Sequence, residues 1–234
     1  MEHKRLTLFA GHYGSGKTNI AVNYALHLAQ EGKKVCIADL DIVNPYFRTK
    51  DSAMMLEQAG VELVSPQYAN TNVDLPALPA ESYRLVQDKN VYGIMDIGGD
   101  DRGAYALGRY TPFIKEENNY RMAFVANCYR PLTRTAKDAL EIMREIESAC
   151  GLPFNCIINN SNLGTETTPE TVLASQDFIS ELSAISWLPI FLQTATIEVA
   201  KKLEDKIPDI LPLQLQEKYF DLPSQKPVNR PLWG

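Results

Sequence analysis

The chain has no long apolar run, no run of lysine or arginine, and no CxxC pair. No uninterrupted apolar stretch reaches the roughly 18 residues of a membrane span, so no transmembrane helix and no membrane partner are expected. The apolar run behind the charged start "MEHKR" ends at Gly11, too short for the core of a secretory signal. A cytoplasmic address is expected.

Basic residues are neither abundant nor clustered. Lys and Arg total 23 against 29 Asp and Glu, a formal net charge of -6. A nucleic-acid footprint needs a concentrated basic surface, so no nucleic-acid partner is expected. The four cysteines, Cys36, Cys128, Cys150 and Cys156, have no metal-ligand spacing, and three lie in or beside apolar, strand-like runs. They read as buried thiols of a reducing compartment.

What is present suits one α/β domain: 234 residues, 45% hydrophobic and 22% charged. Short apolar runs alternate with longer helix-like segments, the pattern of βα units on a parallel sheet. The strand candidates are "LTLFA", "KVCIADL", "VELVS", "YGIMDI", "RMAFVANC" and "FNCIINN", with "LPIFLQ" weaker. Helical spacing marks Thr18 to Gln30, Lys50 to Ala59, Thr135 to Ala149 and Pro169 to Leu182. Three of these meet a glycine just past their ends, at Gly32, Gly60 and Gly151. Strands such as "IMDI" and "CIINN" are apolar on both faces, which implies helices on both sides. The expected fold class is a three-layer, doubly wound α/β sandwich with a mostly parallel sheet. Residues 1 to 215 form the domain, and residues 216 to 234 an irregular, proline-containing tail. "NTNVDLPALPAESY" reads as a surface loop at the ligand edge or as a plain connector.

The chemistry begins at "GHYGSGKT", which fits G-x-x-x-x-G-K-[ST] at Gly11, Gly16, Lys17 and Thr18, between an apolar strand and a helix. Gly11, Gly14, Ser15 and Gly16 let the backbone wrap around phosphates, and the amides at the helix start, as far as Asn19, face a site that favours anions. Lys17 is placed to neutralise β- and γ-phosphates, and Thr18 to offer its hydroxyl to Mg²⁺. In "VCIADLDIVNPYFR" a strand ends at Asp39 and Asp41, on the same edge of a parallel sheet as the loop. Two acids one residue apart suit Mg²⁺ organisation and the holding of an attacking water; either could instead cap the next segment. "VYGIMDIGGDDRGA" places Asp96 at a strand end as a Walker B carboxylate. The same stretch reads D-x-x-G to Gly99, whose amide can contact a γ-phosphate. Asp100 and Asp101 read as turn and cap residues, with a ligand role the other reading, better placed at Asp100 than at Asp101.

The P-loop, then "ADLD", then "MDIGGD" resembles the MinD/ParA group of P-loop ATPases, in the wider class that holds cobyrinate diamide synthase and dethiobiotin synthetase. The resemblance covers roughly residues 5 to 200. It implies phosphate, Mg²⁺ and hydrolysis roles for Lys17, Thr18, Asp41 and Asp96. In that group an asparagine ending a late strand reads adenine, which in "CIINNSN" falls on Asn159, with Asn160 next; capping of the following turn is the other reading. The guanine-reading [NT]KxD pattern is missing here and from "VANCYRP", so ATP is expected over GTP.

This sequence has His12 where the group carries a lysine that reaches a partner's nucleotide. Histidine is shorter and mostly neutral at pH 7. Arg48, Arg102 and Arg130 are the candidate substitutes, in cis or in trans. The expected function is a Mg²⁺-dependent ATPase switch on an unidentified protein partner, with a homodimer possible. The alternative is an ATP-dependent ligase or kinase for a small metabolite, using "NTNVDLPALPAE" and "GRYTPFIKEENNYR" as a substrate pocket.

Overall fold

In a computed structural model, residues 3 to 40, 53 to 64, 83 to 99, 101 to 207 and 210 to 215 are described, without the side chains at 101 and 102. Asp41, Arg48, Asp100, most of "NTNVDLPALPAESY" and residues 216 to 234 lie outside them.

Eight strands form one sheet: β1 (Leu6–Ala10), β2 (Val35–Leu40), β3 (Glu62–Val64), β4 (Tyr92–Ile97), β5 (Tyr120–Ala126), β6 (Cys156–Asn159), β7 (Ile190–Thr196) and β8 (Ile210–Leu213). Their order is β3-β2-β4-β1-β5-β6-β7-β8, and every pairing among them is parallel. The expected mostly parallel sheet is therefore parallel throughout its described strands.

Nine described helices connect the strands: α1 (Lys17–Gln30), α2 (Ala53–Gln58), α3 (Arg84–Gln87), α4 (Asp101–Gly108), α5 (Thr111–Glu117), α6 (Ala136–Cys150), α7 (Pro169–Ala174), α8 (Gln176–Ser186) and α9 (Ile197–Lys201). The segment expected as one helix from Pro169 to Leu182 is two, broken at Ser175. Its hydroxyl turns back to the Val172 carbonyl and its position caps both helices. Gly32, Gly60 and Gly151 all take positive φ at helix ends, as their placement in the sequence implies.

Strand alternation builds the three layers. Leu6, Leu8 and Ala10 enter one core with Leu107, Met143 and Leu182, while Phe9 enters the opposite core with Ile20, Tyr24 and Ile37. α1 and α2 thus cover one face, and α4, α6 and α8 the other. No helix among the described residues is long and apolar enough to cross a membrane.

β1 lies between β4 and β5, so consecutive strands depart to opposite sides of it. Ligands of open α/β sheets bind at such a reversal, beyond the carboxyl ends of the strands. Gly11 to Thr18 leave β1 at that point.

Candidate functional site

The loop after β1 is tied to itself through His12. The His12 carbonyl accepts from the Ser15 amide at 3.1 Å and from Lys17 Nζ at 3.2 Å. The imidazole Nδ1 instead lies 2.9 Å from the Tyr13 carbonyl, on the solvent side. Position 12 therefore shapes the loop with its main chain, a role any residue can fill.

Gly16 caps α1 in the left-handed conformation (φ 91), and no acidic residue occupies the helix's first turn. A Cβ on Gly16 would collide with the Asn160 amide. That amide donates to the Ser15 carbonyl at 2.6 Å, and its own oxygen accepts from Thr194 Oγ1 at 2.5 Å. A buried chain from β7 through Asn160 thus holds the loop from beneath. Gly11 is buried at the end of β1, Gly14 is exposed at the crest, and Asn19 is partly buried in the first turn of α1. Ser15 Oγ is buried with no hydrogen-bond partner, which costs about 1–3 kcal/mol.

Lys17 is buried, and Thr18 Oγ1 donates to Asp96 Oδ2 at 2.6 Å. Asp39 pairs in register with Asp96 across β2 and β4, and both carboxylates are buried. Two acids and one lysine therefore share one enclosed strand end. The hydroxyl and carboxylate oxygens are hard donors, and their separation is close to the roughly 2.9 Å edge of a Mg²⁺ octahedron with about 2.05 Å bonds. These residues fit Mg²⁺.

Gly99 closes the other side. A Cβ there would stand 2.7 Å from the Tyr13 nitrogen and 3.0 Å from Lys17 Nζ, so the D-x-x-G backbone rests directly on the P-loop. Across the crest, Arg130 Nε donates to the Gly14 carbonyl at 2.9 Å. Of the three candidate arginines, it alone has a described side chain.

Asn159 sits at the end of β6, as expected, with its side chain in a buried network. Nδ2 donates to Ser175 Oγ at 2.9 Å and to Gln193 Oε1 at 3.1 Å, and Oδ1 accepts from the Ser161 amide at 3.2 Å. The last contact is the turn cap that the sequence left open as the other reading. The segment "GRYTPFIKEENNYR" lies elsewhere. It covers α5 and enters β5 at Tyr120, which pairs with Leu6 at the amino edge of the sheet, opposite the loop. There Glu117 pairs with the buried Arg5, which also donates to the Leu85 carbonyl at 2.8 Å and to that of Val91 at 2.9 Å. A phosphate-edge pocket cannot be built from it.

The parallel sheet and its helices are similar to those of solved structures of signal recognition particle proteins. Cell division protein FtsY from Thermotoga maritima superposes with a TM-score of 0.55 at 17% identity, over 83% of this chain and 62% of that one. Signal recognition particle 54 kDa protein from Aeropyrum pernix, in complex with GDP, gives 0.51 at 19% identity, over 80% of this chain and 40% of that one. The chain has the P-loop NTPase fold. A third neighbour, signal recognition particle receptor FtsY from Elizabethkingia anophelis in complex with GDP, gives 0.50 at 17% identity over 92% of this chain and 61% of that one. The chain spans less than two thirds of the length of each of these neighbours. No family model matches the sequence, and no curated protein matches it. At these identities the likeness is one of fold.

Proposed function

We propose that this P-loop NTPase domain binds Mg·ATP on Gly11 to Asn19 and hydrolyses it as a nucleotide switch acting on a protein partner. The observation that carries the reading is the 2.6 Å contact of Thr18 with Asp96 beside the buried Lys17, at the start of a helix free of first-turn acids. Lys17 neutralises the β- and γ-phosphates, and a phosphate oxygen satisfies Ser15 Oγ. Thr18 and Asp96 would hold Mg²⁺, which when bound would supply charge stabilisation at the γ-phosphoryl group. Asp41 orients the attacking water, with Asp39 beside Asp96 assisting at the same strand ends.

The motif order supports a place near the MinD/ParA group, with one departure in the cation. Because His12 contributes its carbonyl, Arg130 over the loop crest supplies the missing positive charge in cis. Gly99 links the site to the outside: loss of the γ-phosphate changes what its amide and Lys17 contact, which moves the D-x-x-G segment. ATP is preferred because neither strand end carries [NT]KxD. The adenine contact is assigned to Asn159, whose Nδ2 must then leave Ser175 or Gln193. The GDP in two of the solved neighbours belongs to those proteins.

Purified protein tests this directly. Unaided Mg-dependent turnover of ATP in preference to GTP is expected. Lys17→Ala should abolish nucleotide binding, and Asp41→Ala should spare binding while slowing hydrolysis. Normal turnover in both variants overturns the site. Sizing Asp41→Ala with and without Mg·ATP shows whether a homodimer forms.

A further inference from the structure

The chain contains three histidines. One is His12 of the loop; the other two meet at the far end of the domain. His27 and Glu31 stand four residues apart at the end of α1, and His3 comes from the segment just before β1. His3 Nε2 lies 3.0 Å from Glu31 Oε2, and His27 Nε2 lies 3.3 Å from Glu31 Oε1. All three ligand atoms fall within 4.8 Å of one another.

We propose that His3, His27 and Glu31 form a binding site for a divalent cation of the zinc class, with two imidazole nitrogens, one carboxylate oxygen and one water as ligands.

The first argument is spacing. Zinc bonds of about 2.0–2.1 Å in a tetrahedron place neighbouring ligand atoms about 3.3 Å apart, and the two separations, 3.0 and 3.3 Å, lie just inside and at that edge. Donor chemistry is the second. Imidazole with carboxylate suits zinc and its neighbours in the transition series, whereas Mg²⁺ and Ca²⁺ take oxygen sets.

The third argument is the proton inventory. A carboxylate only accepts hydrogen bonds, so without a metal each Nε2 facing Glu31 must carry a proton. A cation replaces both protons at once and is bound by the two bared lone pairs. His3 is already oriented for this. Its Nδ1 lies 3.1 Å from the buried Tyr24 hydroxyl, an outer-shell contact that holds the ring direction and, because a hydroxyl both donates and accepts, serves the metal-free and the metal-bound tautomer alike. Tyr24 itself is held by edge contacts with Phe9 and Phe191 in the core.

The fourth coordination position faces solvent, since the His27 and Glu31 side chains are 41% and 38% exposed. Three protein ligands with an open position bind a water or a small anion. The site lies roughly 20 Å from the phosphate loop, one length of α1 away, and does not depend on the nucleotide reading. A bound ion would pin the segment before β1 to the end of the helix whose other end carries the loop.

The test uses the full chain with its own first residues and no histidine tag, stripped with a chelator and titrated with Zn²⁺ against a chromogenic competitor. One equivalent is expected to bind. His27→Ala and Glu31→Gln should lose it while keeping the helical circular dichroism of the wild type. Tyr24→Phe, which leaves all three ligands, should weaken binding by about 10- to 100-fold. A measurement on the unaltered protein guards against variants that misfold: X-ray absorption of the zinc-loaded chain should show two imidazoles and no sulfur. No binding by the wild type, unchanged binding by both ligand variants, or sulfur in the inner shell overturns the site.

Discussion

The Asn160 side-chain amide donates to the Ser15 carbonyl across 145 residues of sequence, and it does so from directly beneath the glycine that starts α1. The Gly11–Thr18 loop is therefore held from the β6 and β7 side as well as by β1. Asn160→Ala leaves a buried carbonyl without its donor and should lower stability by roughly 1–3 kcal/mol in urea unfolding. Asn160→Asp should be worse for nucleotide, because a carboxylate cannot donate to Ser15 and brings negative charge under the anion site. Equal nucleotide affinity for both variants and wild type, read by fluorescent-analogue titration, would show that the tether does not shape the loop.

Gly99 makes a second, sharper case. Gly99→Ala places a methyl group 2.7 Å from the Tyr13 nitrogen and 3.0 Å from Lys17 Nζ, so the D-x-x-G segment must shift off the P-loop. Turnover should fall by at least about a hundredfold, the scale expected for displacing a catalytic positioning group. The melting temperature should change little, because Gly99 lies outside the strands.

Acid should loosen the opposite edge of the sheet first. Burial pushes the Glu117 carboxyl up, but hydrogen bonds from Arg5 and Lys89 outweigh it and hold the group below its ordinary value of 4.5. A folded value below the unfolded one contributes stability that is complete above about pH 4.5 and is lost as pH falls through the folded value. Glu117→Gln should cost about 3 kcal/mol at pH 7, because Arg5 stays buried without its carboxylate. The cost should shrink as pH falls through the folded value, below which wild-type Glu117 is itself protonated; unfolding curves from pH 7 down through the acid range check it.

Thiol chemistry should separate the four cysteines. Burial pushes Cys36 and Cys156 up to about 12, and also raises Cys150, whereas Cys128 is partly exposed. Thiolate is the reactive form, so a maleimide at pH 7 should label Cys128 alone in the native protein and all four in denaturant. Mass spectrometry of the peptides reads the site; fast native labelling of Cys36 would contradict the described core.

The central strands and the loop were legible because their signals are local. β1 and β4 match the runs "LTLFA" and "YGIMDI", apolar on both faces because helices cover both. Lys17, Thr18 and Asp96 follow from motifs a few residues long. What escaped depends on distant partners or weak local signals. α4 and α5 are short, interrupted at Gly108 and started by Pro112 at the second helical position, so no helical period accumulates. β8 contains Pro212, which an edge strand tolerates but which masks it in the sequence. The Asn160 tether and the Arg5–Glu117 pair have no short-range signature at all.

The position of β1 also governs how the chain can fold as it is made. β1 pairs only with β4, which begins at Tyr92, and with β5, which begins at Tyr120. Leu6 to Ala10 are made some eighty residues before Tyr92 opens their first partner strand. Through that interval one of the most buried strands of the finished sheet is an open, sticky edge, and its closure waits on contacts of long sequence separation. Crowding of nascent chains is therefore where this fold is most exposed to misassembly.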